Sequence, residues 1–291
     1  MNQERAYLQR IHEAYPHLMV KTARLHTRDG QFSDILFVDE ELIFRFPRSP
    51  HVAKEMAFET AILSRLQRHM SLPIPNLVYH RADPQTGDLI FMGYRMIPGE
   101  PLSRETVKAI GDETALDGMA TQLATFMREL HGVPVAKLGL DVPVRDGHER
   151  WADIYARFRE HLFPHMRPDA REQMARGFET FLSDPVNFAY RPVLRHGDFG
   201  GTNILFDPKT QSIAGVLDFS FIALGDPAFD LASISCFGES FTQRIVRADL
   251  RLEPMRRRAR FYRSTFALLQ ALYALRDNDL ESFESGMARF I

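Results

Sequence analysis

Apolar positions along the chain follow two rhythms, and these alternate in blocks. Residues 3–15 carry them at helical spacing and predict a short amphipathic helix. Two β-rich runs follow, 32–38 (FSDILFV) and 41–46 (ELIFRF), separated by Asp39 and Glu40, the signature of a hairpin. Residues 51–70 return to helical spacing and stop at Pro73 and Pro75. LVYHRAD and DLIFMGYRMI then flank the turn-like PQTG and predict another strand pair. After Pro98-Gly99 the pattern becomes mainly helical, with amphipathic segments at 112–131, 149–163 and 168–182, a return to strands and loops at 191–219, and a helical tail at 255–290. The pattern predicts an α+β, two-lobed chain. Residues 1–97 form a small N-terminal lobe ending in a connector near 94–100, and 98–291 form a larger, mainly helical lobe.

Composition narrows the classes. The 291 residues are 45% hydrophobic and 25% charged, the balance of a globular protein. A net charge of −2 argues against a nucleic-acid binder, and the basic run 255–263 (MRRRARFYR) reads as a solvated helix face. The single cysteine, Cys236, rules out a disulfide framework, fits a reducing compartment and lacks the neighbours of a nucleophile. No apolar run approaches the ~20 residues of a membrane span. The first residues carry charges where a signal peptide needs an apolar core, so a cytoplasmic protein without membrane contact is expected.

The densest chemistry lies in HGDFGGTNILF, residues 196–206. Asp198 and Asn203 are five positions apart with Gly200 and Gly201 between them, so a tight loop can turn carboxylate and carboxamide toward one point. The apolar NILF would anchor that loop to a sheet. A second apolar run, IAGVLDFS, ends in Asp218, and the short turn DPKTQS would pair the two runs and bring Asp218 beside the Asn203 end. An Asp, an Asn five residues on and a later Asp on Mg²⁺ are the parts used in phosphoryl transfer, and oxygen donors of this kind suit Mg²⁺. Each Asp taken alone also fits a turn that caps backbone N–H groups.

Such a site needs a cation on the donor phosphates and a carboxylate to fix it. ELIFRFP offers Arg45, and the following helix offers Glu55 and Glu59, of which Glu59 opens the apolar ETAIL face. Arg45 also fits an edge-strand surface residue. The loop 27–34 (TRDGQFSD), which includes Ser33, is placed to cover phosphates but holds a single glycine.

These residues resemble the aminoglycoside phosphotransferase family, which has a protein-kinase-like fold, and within it most closely the aminoglycoside 2''-phosphotransferases. The resemblance runs from about residue 30 to 275, over IFRFP, FETAILSRL, FMGYRMIPGEPL, QLATFMRELHGVPV, HGDFGGTNILFD, GVLDFS, GDPAFDLA and FGESF. It implies an enzyme moving the γ-phosphate of ATP or GTP to an aminoglycoside hydroxyl, the 2''-OH, and so conferring resistance. By the same likeness Asp198 is the catalytic Asp, Asn203 and Asp218 hold Mg²⁺, and Glu59 is the helix glutamate. Residues 93–97, with Gly93, Tyr94 and Met96, become the connector that meets the nucleotide base. Two departures stand out: Arg45 where the family usually has Lys, and Ser220 where many relatives have Gly.

Other roles are less fixed. His196 reads as a histidine that shapes the loop, since Asp198 already fills the proton-accepting role. Asp230 in GDPAFDLA resembles a buried Asp that holds the catalytic loop, and equally fits a helix cap. An acceptor with many ammonium groups calls for carboxylates, and Asp226, Glu239, Asp277 and Asp279 are available; Glu239 in FGESF is the best placed by the resemblance, though each also fits a solvated carboxylate. Trp151 and Tyr155, one helical turn apart, could line a sugar site or simply be core. The expected partners are two small molecules, acceptor and nucleotide, bound by a monomer. Other acceptors remain open, a macrolide, an amino sugar or a metabolite, as does an inactive nucleotide-binding module.

Overall fold

The structure, a computed structural model, describes residues 3–27 and 33–291. In chain order α1 (Gln3–Ala14), β1 (Ala23–His26), β2 (Ser33–Val38), β3 (Leu42–Pro47), α2 (Pro50–Leu66), β4 (Leu77–Ala82) and β5 (Leu89–Arg95) come first. There follow β6 (Glu100–Pro101), α3 (Arg104–Ala109), α4 (Glu113–His131), α5 (His148–Arg157), α6 (Pro168–Ser183), β7 (Val193–Arg195), β8 (Ile204–Asp207) and β9 (Ser212–Val216). The chain ends with β10 (Ala223–Gly225), α7 (Ala228–Ile234), α8 (Glu239–Ala248), α9 (Arg256–Asp277) and α10 (Leu280–Met287). Two compact units result: Met1–Leu102 with Ala136–Leu140 and Thr202–Ile222, and Ser103–Val135 with Asp141–Gly201 and Ala223–Ile291.

The first unit is built on an antiparallel sheet in the order β1-β2-β3-β5-β4. Its central hairpin turns at Asp39 and Glu40, whose φ angles of 53° and 55° are those of a two-residue turn matched to strand twist. Asp39 tolerates this conformation and its Oδ1 accepts the N–H groups of Lys21 and Thr22. Leu36, Val38, Phe44, Phe46 and Phe91 form one apolar cluster with Tyr7 and Ile11 of α1. The helix α2 buries Met56, Ile62, Leu63 and Leu66 and, at a position where a charge is costly, Glu59. A second sheet, β6-β8-β9, pairs Glu100 with Phe206 and Ile204 with Val216. Thus the hairpin joined through DPKTQS belongs with this unit.

Gly93 sits in β5 opposite Phe44 and Tyr79, and a Cβ there would lie 2.7 Å from the Phe44 ring. The ring is fully buried against Phe91 and Tyr79 and has no room to yield. Gly93→Ala should therefore cost about 1–3 kcal/mol, read as a lowered midpoint in thermal or urea unfolding; a midpoint equal to wild type would show that the sheet relaxes at no cost.

The second unit is mainly helical. Its densest packing surrounds Trp151, which is 0% exposed and stacks on Tyr262 at 4.9 Å between ring centroids, with Phe178, Phe181, Phe229 and Phe261 around it. Tyr155 stacks on Phe178 and donates its OH to Glu179. Trp151 is core, whereas Tyr155 is half-buried at its edge. A short ribbon, β7 with β10, completes the unit. Among the described residues no helix is long and apolar enough to cross a membrane.

Candidate active site

In the first unit the ion pair expected between β3 and α2 is formed. Arg45 Nη1 donates to both Glu59 oxygens at 2.9 and 3.1 Å, with the two side chains 12% and 1% exposed. Although burial opposes its charge, the carboxylates of Glu59 and Asp218 raise the Arg45 pKa further, so it stays ionised. Glu59 Oε1 also accepts the N–H of Phe219 at 3.2 Å, which ties α2 to the Asp218 segment. Arg45 Nε points at Ser33 Oγ at 3.4 Å, and Ser33 itself is buried. Most of the loop expected to cover phosphates, residues 28–32, lies outside the described residues.

The β8–β9 hairpin brings Asn203 and Asp218 to one end. The Leu217 N–H donates to the Asn203 carbonyl at 2.8 Å, just past the Ile204–Val216 pair. Asp218 stands in the left-handed region at φ 58°, where Asp is tolerated better than most residues. Its Oδ1 accepts from Ser220 N–H and Oγ at 3.2 and 2.6 Å, so the Ser in place of Gly adds a hydrogen bond that orients the carboxylate. An Asn and an Asp on one hairpin end carry hard oxygen donors of the kind that suit Mg²⁺.

The connector residues are divided. Gly93 and Tyr94 are strand residues of β5, and burial pushes the Tyr94 hydroxyl up to about 12, aided by Glu59 and Asp218 and opposed by Arg45. Met96 gives its N–H to the Glu41 carbonyl at 2.7 Å, so that donor is already used within the sheet.

In the second unit Asp198 is exposed, on a loop whose backbone is held from below. Asp230, 0% exposed, accepts His196 N–H at 3.0 Å, Gly197 N–H at 2.9 Å and His131 Nε2–H at 2.9 Å. Burial pushes this carboxyl up, but the hydrogen bonds and the charge of His131 prevail and hold it below the usual range. The buried His196 takes the Asp198 N–H on Nδ1 at 3.3 Å, a contact that shapes the loop. Gly200 lies so close to α7 that a Cβ would come within 2.8 Å of the Ser233 carbonyl, and Gly201 stands at φ 50°. His131, the last residue of α4, has no role in the sequence reading. Its partner is 99 positions away, and the only signal was its place in QLATFMRELHGVPV.

One expected acceptor residue is overturned. Asp226 is 0% exposed, and Arg258 Nε and Nη2 donate to it at 2.6 and 3.0 Å, Tyr262 OH at 2.8 Å and Ala228 N–H at 2.9 Å. Every direction from which an ammonium could approach is filled by protein, so Asp226 is structural. Glu239, the first residue of α8, is exposed and accepts Arg256 Nη2 at 2.5 Å. An incoming ammonium there would compete with Arg256. Asp277 pairs with Arg276, and Asp279 caps α10 through Ser282 N–H.

Known proteins share this architecture. The chain is 28% identical to viomycin phosphotransferase of Streptomyces vinaceus over 275 residues, 91% of this chain and 92% of that protein. Among solved structures it superposes on aminoglycoside 2'-phosphotransferase-IIIa in its GDP complex with a TM-score of 0.88 at 25% identity, over 99% of this chain and 97% of the other. A GDP and kanamycin complex of an APH(2'') enzyme gives a TM-score of 0.87 at 26% identity, over 98% and 96%. These neighbours establish an α+β, kinase-like fold. The profile of the phosphotransferase enzyme family matches residues 22–262, and the chain, a transferase acting on hydroxyl groups, belongs to that family.

Proposed function

We propose that this protein transfers the γ-phosphate of ATP or GTP to a hydroxyl of an aminoglycoside, the 2''-OH, in a Mg²⁺-dependent reaction. The observation that carries the chemistry is Asp198: an exposed carboxylate on a loop whose backbone is fixed by a fully buried one. Asp198 accepts a hydrogen bond from the attacking hydroxyl and takes its proton late in transfer. Asn203 and Asp218 would hold Mg²⁺, which when bound neutralises charge on the donor phosphates. Arg45 grips those phosphates, and Glu59 sets its direction. Among the described residues Arg45 Nη2 has no hydrogen-bond partner, which leaves it for a phosphate oxygen. An Arg here offers a planar fork where Lys offers a point charge. Glu239 meets an acceptor ammonium in exchange for Arg256.

The acceptor class is supported by the likeness to a structure that holds kanamycin and GDP. A panel of kanamycin, gentamicin and viomycin, each with ATP and with GTP, tests it, the products being assigned by mass spectrometry and NMR. Phosphorylated kanamycin or gentamicin, modified at the 2''-OH, is expected; no turnover above background hydrolysis on either would overturn the reading. A second acceptor is favoured by the similarity to viomycin phosphotransferase. Turnover of viomycin alone would move the acceptor class there and leave the phosphotransfer chemistry intact.

A further inference from the structure

Arg195 immediately precedes His196 and ends β7, so it is the root from which the loop bearing Asp198 departs. Its side chain is 4% exposed, and it donates both Nε and Nη2 to the Asp146 carboxylate, the latter at 3.0 Å. The guanidinium lies over the Phe229 ring of α7, 4.2 Å from the centroid. Asp146, also 4% exposed, stands at φ 72°, and Tyr190 OH donates to its carbonyl at 2.6 Å. Just before it, the chain is bound to β10: Leu224 N–H donates to Pro143 at 2.8 Å and Arg145 N–H to Leu224 at 2.7 Å. Any side chain at Gly225 would collide with the Asp146 carboxylate and crowd Arg195.

Three costly choices thus meet at one point: a buried ion pair, a left-handed Asp and a glycine that nothing larger can replace. A buried pair is seldom retained for stability alone, because well-packed apolar residues often serve as well. What the bidentate fork supplies is direction.

We propose that Arg195 and Asp146 are positioning residues for phosphoryl transfer: the fork fixes the end of β7 and with it the direction in which Asp198 is presented. This rests on the reading of Asp198 as the proton-accepting residue. The nucleotide residues Arg45, Glu59, Asn203 and Asp218 belong to the other compact unit, so loss of the fork acts on kcat and spares nucleotide binding. A shift of about 1 Å in a reacting group can cost about 100-fold in rate.

The test uses the full chain with Arg195→Lys, which keeps the charge and loses the fork, and Asp146→Asn, which keeps an acceptor and the tolerance for a left-handed backbone. Arg195→Lys should lower kcat per folded molecule by about 10- to 100-fold with the nucleotide KM within about twofold of wild type. Asp146→Asn should lower kcat less, in the same direction. Amide hydrogen exchange over residues 193–201 should quicken in both variants, a readout that does not depend on which acceptor is correct. A wild-type kcat in Arg195→Lys, whatever its unfolding temperature, overturns the proposal. So does a parallel loss of kcat and nucleotide affinity, or unchanged exchange over 193–201. Should Arg195→Lys fail to fold, Asp146→Asn decides by the same two measurements. If wild type turns over no acceptor, the proposed function falls, and the exchange data still judge the fork.

Discussion

Asp198→Asn is expected to lower kcat by about 10³-fold while nucleotide affinity stays within about twofold of wild type. General base catalysis by a positioned side chain is worth about 10²- to 10⁴-fold, and Asn keeps the size of Asp while losing the basic oxygen. The side chain is exposed, and the loop is held through the backbone of His196 and Gly197 on Asp230, which the substitution leaves alone. Steady-state kinetics with isothermal titration of the nucleotide separate the two quantities. A kcat within threefold of wild type would remove Asp198 from the mechanism, because no merely structural role at an exposed loop position predicts a loss confined to turnover.

The second large effect falls on stability. Glu59→Ala should destabilise the protein by about 3–5 kcal/mol, since it strips the partner from a buried guanidinium. Arg45 then keeps its charge at 12% side-chain exposure, and the Phe219 N–H loses its acceptor as well. The unfolding midpoint should drop by roughly 10 °C, and nucleotide affinity should fall with it because Arg45 loses its direction. Glu59→Gln, which keeps an oxygen for the Phe219 N–H, should lie between Ala and wild type. Differential scanning calorimetry reads both, and a Glu59→Ala midpoint within about one degree of wild type would show that water or a rotamer change solvates Arg45 in place of Glu59.

Much of this was open to reading in advance. The Asp39-Glu40 turn, the helix from Asp112 to Gly132 and the hairpin through DPKTQS follow from local rules, because their signals and their contacts lie within one stretch of chain. Elements with weak local signals escaped. The edge strand β1 is only four residues long, the six-residue α3 is too short for a period, and the predicted helix 149–163 passes from α-helix to a π-helical turn at Phe158–Leu162. The tail is helical as expected, and it divides into α9 and α10 at Asn278, left-handed at φ 55°.

Carboxylates show the limit most clearly. The order of residues sets the chemical inventory and its local spacing: Asp198 five residues before Asn203, Asp218 at the end of an apolar run, Arg45 and Glu59 on neighbouring elements. It could not say which carboxylates face water. Asp226 and Glu239 look alike in sequence, yet one is enclosed by Arg258 and Tyr262, 32 and 36 positions away, and the other lies on the surface beside Arg256. The fold settles that, as it settles that Asp230 binds His131 and the loop bearing Asp198, and that Arg195 is locked to Asp146. The reason is physical: turns, caps and periodicity depend on neighbours in the chain, whereas burial and ion pairing depend on side chains that the fold alone brings within reach.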